Sequence, residues 1–294
     1  MKLAVLADIH GNFQALQAVT AHIEQWQPDQ VVIAGDIVNR GPRSRDCLDF
    51  VQNKQASQGW LTVRGNHEDY VINQAQPDSP RSGLLFEMHR STYWTYQQLN
   101  GDVKALLAMP FQLDLAAPDG SNITVTHAST LGTRNGIFID TPDEELRRKI
   151  VTTSALFCVG HTHLPLIRCL DQTLVVNAGT VGLPFDRDRR AGYAQVEWQS
   201  GHWSAEIIRL DYDLRQAEQD FFDSGFMRDS GPLAPVILDE FRVACSHLYQ
   251  WTEWYQARIL AGEMSVEAST REYLARVNGN YKRKKSDNNS KFPH

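Results

Sequence analysis

The chain has 294 residues, a formal net charge of −6 and 42% hydrophobic residues, enough for one globular domain with an appendage or for two modest domains. The acidic balance argues against a nucleic-acid binder that works through its overall field. The apolar start of "MKLAVLADIHGN" is broken by Asp8 and His10 too early for a secretion signal, and no later stretch reaches a membrane span, so the cytoplasm is the expected location.

Taken in chain order, "KLAVLAD" reads as a buried strand, "NFQALQAVTAHIEQW" as a helix and "QVVIAGD" as a second buried strand. A helix is predicted from Pro42 to about Gln55, and a third strand at "WLTVRGN". Strands separated by helices imply right-handed crossovers and a largely parallel sheet. Residues 70–109 interrupt this rhythm with the turn-rich "QAQPDSPRSG" and the helical "LLFEMHRSTYWTYQQL", a predicted helical excursion over one sheet edge. Strand signals return at "FQLDL", "NITVTH", "ALFCVGH", "LVVNAG", "GYAQVEW" and "WSAEIIRL", and point to a second, more antiparallel sheet. The expected division is therefore a first domain over 1–212, a helical appendage over 213–280 and a disordered polar tail over 281–294. Trp251, Trp254, Tyr255 and Ile259 fall at helical spacing and are expected to pack the appendage. Cys47, Cys158, Cys169 and Cys245 show no CxxC pairing and are read as reduced thiols.

The chemistry gathers at strand ends. Asp8, Asp36, Asn66, His127 and His161 each follow a predicted strand, and in open α/β sheets that end carries the ligand site. Asp8-Ile9-His10 and His161-Thr162-His163 repeat one spacing, and side chains two apart on extended chain point the same way. Each motif alone is weak: a lone GD or GNH is commonly a turn. Together they supply four histidines, two aspartates and an amide oxygen without a thiolate, a donor set suited to Mn²⁺, Fe or Zn²⁺. Seven ligands exceed the need of one ion but fit two, roughly 3.5–4 Å apart and bridged by a carboxylate. Asp36, leaving a tight Gly35 turn, is the natural bridge. His22, His89, His202, His247 and His294 have no comparable partners.

The succession "DIHGN", "GDIVNRGP", "RGNHE", "VTHAS", "GHTH" and "VVNAGTVG" resembles the calcineurin-like metallophosphoesterases from Lys2 to about Leu210. The resemblance implies an α/β fold, a four-layer αββα sandwich of two mixed sheets with helical additions. It also implies a dinuclear site, with Mn²⁺ the first expectation. Asp8, His10, Asp36 and His163 would hold one metal, and Asp36, Asn66, His127 and His161 the other. In this family the histidine after the asparagine is the general acid, here His67, and an imidazolium suits a poor leaving group. Arg40 stands where the protein-phosphatase branch carries a phosphate-binding arginine. Arg64 has two readings, orienting phosphate or pairing with an acid at the rim. Asn39 departs from the GDxVDRG pattern, whose aspartate partners the acid histidine, and a dyad of that type is not expected.

The implied function is hydrolysis of phosphate monoesters, diesters or phosphoanhydrides by metal-bound hydroxide. The substrate would be a phosphorylated small molecule, nucleotide or phosphoprotein. Dinucleoside polyphosphate hydrolysis and Ser/Thr protein phosphatase specificity are the alternatives within that class. A non-catalytic scaffold is the rival of a different class, but every ligand position is filled. The 70–109 excursion has two readings: it covers the metals, with Tyr93 and Trp94 selecting the leaving group, or it is a surface helix packed on its own aromatics.

Overall fold

The computed structural model describes the backbone of residues 1–289 and the side chains of residues 1–277. In chain order the elements are β1 (Lys2–Leu6), α1 (Phe13–Trp26), β2 (Gln30–Ile33), α2 (Ser44–Gln58), β3 (Leu61–Thr62), α3 (Asn66–Asn73), α4 (Gly83–Gln98) and α5 (Lys104–Leu107). Next come β4 (Gln112–Ala116), β5 (Asn122–Thr126), α6 (Asp143–Lys149), β6 (Ser154–Val159), β7 (Leu166–Leu170), β8 (Thr173–Asn177), β9 (Ala191–Gln199) and β10 (His202–Leu210). The chain then turns helical through α7 (Leu214–Asp223), α8 (Phe226–Asp229), α9 (Ala234–Val243), α10 (His247–Leu260) and α11 (Val266–Asn289).

Two five-stranded sheets form, in the orders β10-β9-β1-β2-β3 and β4-β5-β6-β8-β7. Each is mixed: β1/β2 and β2/β3 are parallel and β1/β9 and β9/β10 antiparallel, while β5/β6 and β6/β8 are parallel and β4/β5 and β7/β8 antiparallel. The second sheet is thus no more antiparallel than the first. The expectation also misplaced two strands, because β9 and β10 return to the first sheet, where Leu3 lies opposite Val196.

Alternation within the strands explains the layers. Ala4, Leu6 and Ile33 face Leu16, Val19 and Ile23 of α1 on the outer side. Leu3, Val5 and Val32 face the other sheet through Ile123, Val125, Leu156 and Cys158. On the far side, Phe157, Val159 and Val175 pack under Leu146 of α6. The result is the αββα sandwich. α1 begins where Asn12 accepts a hydrogen bond from the Ala15 amide at 3.1 Å, and ends at Gln27, which takes a left-handed φ of +53°.

The strand predicted at "WLTVRGN" is shorter than expected: only Leu61–Thr62 form β3, because the chain beyond turns away to give the Arg64 amide to the Pro110 carbonyl at 2.8 Å. Among the elements not foreseen are α3, α6 and β7, the last a hairpin partner of β8 turned at Asp171 with φ +53°.

The C-terminal helices build two apolar clusters that also take in α4. Trp94 and Leu183 join Phe221, Phe226 and Phe241, and Met88 joins Trp251, Tyr255, Ile259 and Tyr273. The excursion and the appendage therefore pack as neighbours. The tail read as disordered from residue 281 continues as helix to Asn289, and residues 290–294, His294 included, lie outside the described residues. Among the described residues no helix is long and apolar enough to cross a membrane.

Candidate metal centre

Asp8, Asp36, Asn66, His127 and His161 leave the carboxyl ends of β1, β2, β3, β5 and β6, so two facing sheets deliver them to one rim. The backbone there is unusual. Asp8, His10, Asp36, Asn39, Arg40, His161 and His163 all take φ between +49° and +73°, a left-handed conformation that costs about 1–2 kcal/mol per residue and clusters at functional sites. The histidines of "GHTH" therefore do not converge by strand alternation, as their spacing had suggested. They lie beyond Val159, the last residue of β6, in a turn that sends them apart.

His163 goes to Asp8 and His10: its Nε2 lies 3.1 Å from His10 Nε2 and 3.5 Å from Asp8 Oδ1. His161 goes to Asn66, with its Nδ1 2.8 Å from Asn66 Oδ1, which His127 Nε2 also approaches at 2.9 Å. Asp36 sits between the two groups, its Oδ2 3.3 Å from His127 Nε2 and 3.7 Å from His10 Nε2. All seven expected ligands are thus brought together, and all but His161 are buried. His67 joins them, within 4.8 Å of His10 and Asp36.

Two close approaches depend on glycine. A Cβ at Gly65 would stand 2.1 Å from Asp36 Oδ1, and one at Gly35, where φ is +86°, would stand 2.7 Å from His127 Nδ1. Glu68, which has no role in the sequence reading, ties the loops together. Its carboxylate accepts from the amides of Asp36, Ile37 and Gly65 at 2.8 Å and of Val38 at 3.2 Å. From the third position of α3 its side chain reaches back to the Gly65 amide, the glutamate half of a capping box; Gly65 has no side chain to supply the other half.

The donor chemistry fits divalent cations. His127 Nδ1 meets the Ala34 carbonyl at 2.7 Å, so that nitrogen carries hydrogen, and a neutral ring turns the lone pair of Nε2 toward the oxygens of Asn66 and Asp36. Such a convergence of electron-rich atoms calls for a positive charge between them. His163 Nδ1 likewise donates to the Leu183 carbonyl, which leaves its Nε2 as a lone pair, the usual arrangement behind a metal-binding imidazole. Asp8 Oδ1 is buried with no hydrogen-bond partner among the described residues.

The electrostatics point the same way. Burial holds His10 and His163 well below the ordinary histidine value, with neighbouring positive groups adding to the effect, so both rings are neutral, as ligation requires. Burial pulls His161 down to about 4. At His127 burial is overcome by the Asp36 and Asp8 carboxylates, which push the ring up to about 10; a cation in that field takes the place of the proton.

Around this centre, Asn39 Nδ2 lies 2.9 Å from His67 Nδ1 and 3.1 Å from Thr92 Oγ1 of α4. Burial lowers His67 to about 3, and the positive charge of Arg40 adds to that. The imidazolium expected of His67 is therefore disfavoured by its surroundings. Arg40 is paired with Glu240 at 2.8 Å. Arg64 takes the second of its two readings, its Nε 2.9 Å from Asp69 Oδ1. Tyr93 and Trp94 do not face the centre: Trp94 packs on Phe226, and Tyr93 lies among Phe86, Tyr96 and Arg81. His22 and His247 pair elsewhere, with Tyr193 and Asp239.

A carboxylate–imidazole centre at the rim of an αββα sandwich defines a hydrolase of phosphoric ester bonds. The family model for the calcineurin-like phosphoesterase superfamily domain matches residues 1–201, and the chain belongs to that superfamily, whose members are dinuclear, metal-dependent and act on phosphorylated substrates. An uncharacterized protein of Methanocaldococcus jannaschii is 25% identical over 234 residues, 73% of this chain and 89% of its own. A symmetrical bis(5'-nucleosyl)-tetraphosphatase of Nitrosococcus oceani is 36% identical over 75 residues, 24% of this chain and 26% of its own. Serine/threonine-protein phosphatase 1 of Salmonella typhimurium is 37% identical over 71 residues, 24% of this chain and 31% of its own. This chain therefore spans only about a quarter to a third of those two enzymes. Among solved structures, a metallophosphoesterase from Sphaerobacter thermophilus superposes with a TM-score of 0.65 at 23% identity, over 83% of this chain and 99% of that one. A hypothetical protein from Pyrococcus horikoshii does so at 0.67 and 21%, over 79% and 97%. Both share the fold.

Proposed function

We propose that the protein hydrolyses phosphoric esters or anhydrides at two divalent cations, Mn²⁺ in the first instance. Asp8, His10, Asp36 and His163 hold one, and Asp36, Asn66, His127 and His161 the other. The observation that carries this reading is the position of Asp36, whose Oδ2 is within 3.7 Å of His10 Nε2 and 3.3 Å of His127 Nε2, between the two ligand groups. When bound, such a pair lowers the pKa of water and neutralises charge on a phosphoryl group. The residues of the chain orient and exchange protons. His127 and His163 are held by the carbonyls of Ala34 and Leu183, which fixes their tautomers. Glu68 fixes the loops that carry Asp36 and Asn66. Arg40 binds a non-bridging phosphate oxygen through guanidinium donors, and His67, in the small fraction that is protonated, delivers a proton to the leaving oxygen.

For the substrate, the local likeness to symmetrical bis(5'-nucleosyl)-tetraphosphatases favours a dinucleoside polyphosphate. The test joins metal analysis to a substrate panel with added Mn²⁺: nitrophenyl phosphate, bis-nitrophenyl phosphate, a dinucleoside tetraphosphate and a phosphopeptide. Two equivalents of metal in the wild type, with metal and turnover lost together in Asp36→Asn, is the expected result. Full turnover in metal-depleted protein overturns the reading, and preference for another substrate overturns the polyphosphate assignment alone.

A further inference from the structure

The family match ends at residue 201, yet the C-terminal helices reach into the centre. Glu240 of α9 is fully buried, and both of its oxygens accept from a single nitrogen of Arg40, Nη2, at 2.8 and 3.1 Å. Its Oε1 also accepts from the Leu248 amide at 2.7 Å, so the carboxylate is itself held in place. A guanidinium has five N–H donors, and this pairing engages only the Nη2 end. Arg40 Nε is buried and has no hydrogen-bond partner among the described residues. The charge of Arg40 lies near enough to the centre to depress His10, His67 and His163. Its guanidinium carbon stands 5.7 Å from the ring centre of Phe185, which stacks on His163 at 4.2 Å. The next arginine, Arg43, is held in the same manner by Asp220 of α7 at 2.7 Å.

We infer that Glu240 is a positioning residue for phosphate binding: it grips Arg40 by one nitrogen and leaves the remaining donors, Nε–H among them, to a phosphoryl oxygen. The inference rests on the reading of Arg40 as the phosphate-binding arginine. A carboxylate beside an anion site has two opposed effects. It cancels part of the Arg40 charge, and it removes the entropy cost of ordering a long side chain. Here ordering wins. Glu240 is already fixed by Leu248, and without it a buried guanidinium loses its counter-charge and turns to solvent, away from the position that a near-attack geometry needs.

The test measures Kd for inorganic phosphate by titration calorimetry on Mn²⁺-loaded protein, with KM, kcat and metal content on nitrophenyl phosphate. Glu240→Gln keeps a carbonyl for the Leu248 amide. It is expected to raise the phosphate Kd and KM about tenfold with kcat within about threefold, a loss of binding rather than of chemistry, at wild-type metal content. Arg40→Ala is expected to weaken phosphate at least as much, and the double variant no further, since the two act through one contact. Glu218→Gln, which removes an exposed acid of α7 paired with Arg242, is the control and leaves all four quantities unchanged. Wild-type phosphate affinity in Arg40→Ala overturns the underlying reading of Arg40. Weakened binding in Arg40→Ala with unchanged or tighter binding in Glu240→Gln overturns the role of Glu240 alone. If Glu240→Gln does not fold, Arg40→Lys carries the test, because its ammonium can keep the ion pair but lacks Nε–H and the planar fork: a phosphate Kd as weak as that of Arg40→Ala supports the inference, and a wild-type Kd ends it.

Discussion

The amide of Asn39 presents its nitrogen to His67 Nδ1 at 2.9 Å. The orientation is fixed, because the Arg40 amide, a donor only, meets Asn39 Oδ1 at 2.9 Å. His67 Nδ1 must therefore accept, which puts the ring hydrogen on Nε2 and leaves no charge-stabilising partner for the imidazolium. Burial lowers the ring to about 3, so the protonated form is scarce at neutral pH. Asn39→Asp supplies a carboxylate at the same place. It is expected to move the limb where kcat/KM falls with rising pH upward by about one to three units, the usual effect of an adjacent opposite charge. The shift should be larger for an alkyl phosphate than for nitrophenyl phosphate, whose leaving group needs little protonation. Superimposable profiles for both proteins would falsify the tautomer argument.

Glu68 gathers four backbone donors in a site where it has no exposed surface. A glutamine there presents an NH2 group to donors and leaves some of them unmatched. Glu68→Gln is expected to lower unfolding free energy by about 2–4 kcal/mol, read from urea midpoints, and to weaken metal retention, since both loops it joins carry ligands. A wild-type midpoint would show that the four amides find other partners.

The clustering of the candidate ligands was legible because parallel strands end where ligand sites form, and the residue after each strand can be counted off the chain. Asp8, Asp36 and His127 needed no more than that. The route of His161 and His163 was not legible, because left-handed φ in a non-glycine residue leaves no mark in the sequence; the spacing was right and the geometry behind it was not. Glu68 offered only a glutamate at the third position of a helix whose N-cap, Gly65, lacks the side chain of a capping box. Glu240 offered no signal: it lies 200 positions from Arg40, and only the packing of α9 against α4 and α7 around Phe221, Phe226 and Trp94 brings the two together. The return of β9 to β1 was hidden for the same reason, since either sheet accepts a strand of that pattern.

Those aromatics also redirect the idea of a selecting lid. Trp94 is 2% exposed and its ring centre lies 5.0 Å from that of Phe226. Trp94→Ala is expected to cost about 3–5 kcal/mol, as for a large core truncation. Tyr93→Ala should leave the ratio of kcat/KM between substrates unchanged, because Tyr93 packs on its own helix and on Arg81. The α4 residues that do touch the centre are Thr92 and Thr95, through Asn39. A changed substrate ratio in Tyr93→Ala would restore the lid.

Finally, the buried histidines set how stability varies with pH in chelator-treated protein. His67 is lowered to about 3 and His161 to about 4, and His10 and His163 lie well below their ordinary value of 6.5, in each case first through burial. Between those values and 6.5 the unfolded chain binds protons that the folded protein refuses. The stability these groups give is present above about pH 6.5 and is lost as pH falls toward 4 and 3. Asp36, held low against burial by His127 and His67, adds to the acid loss below its ordinary 3.8. His127, raised to about 10, acts oppositely: its contribution is whole below 6.5 and fades as pH rises through 10. Asp8 and Glu240, pushed up by burial, and Glu68, pushed up to about 7 by burial, also favour acid, but they are three groups against four imidazoles. Urea midpoints are therefore expected to peak near neutrality and to fall from pH 6.5 to 5. Saturating Mn²⁺ should make that fall steeper, because ligation needs the unprotonated rings. A midpoint that holds level or climbs between pH 7 and 5 would mean that the four rings are not held neutral by burial.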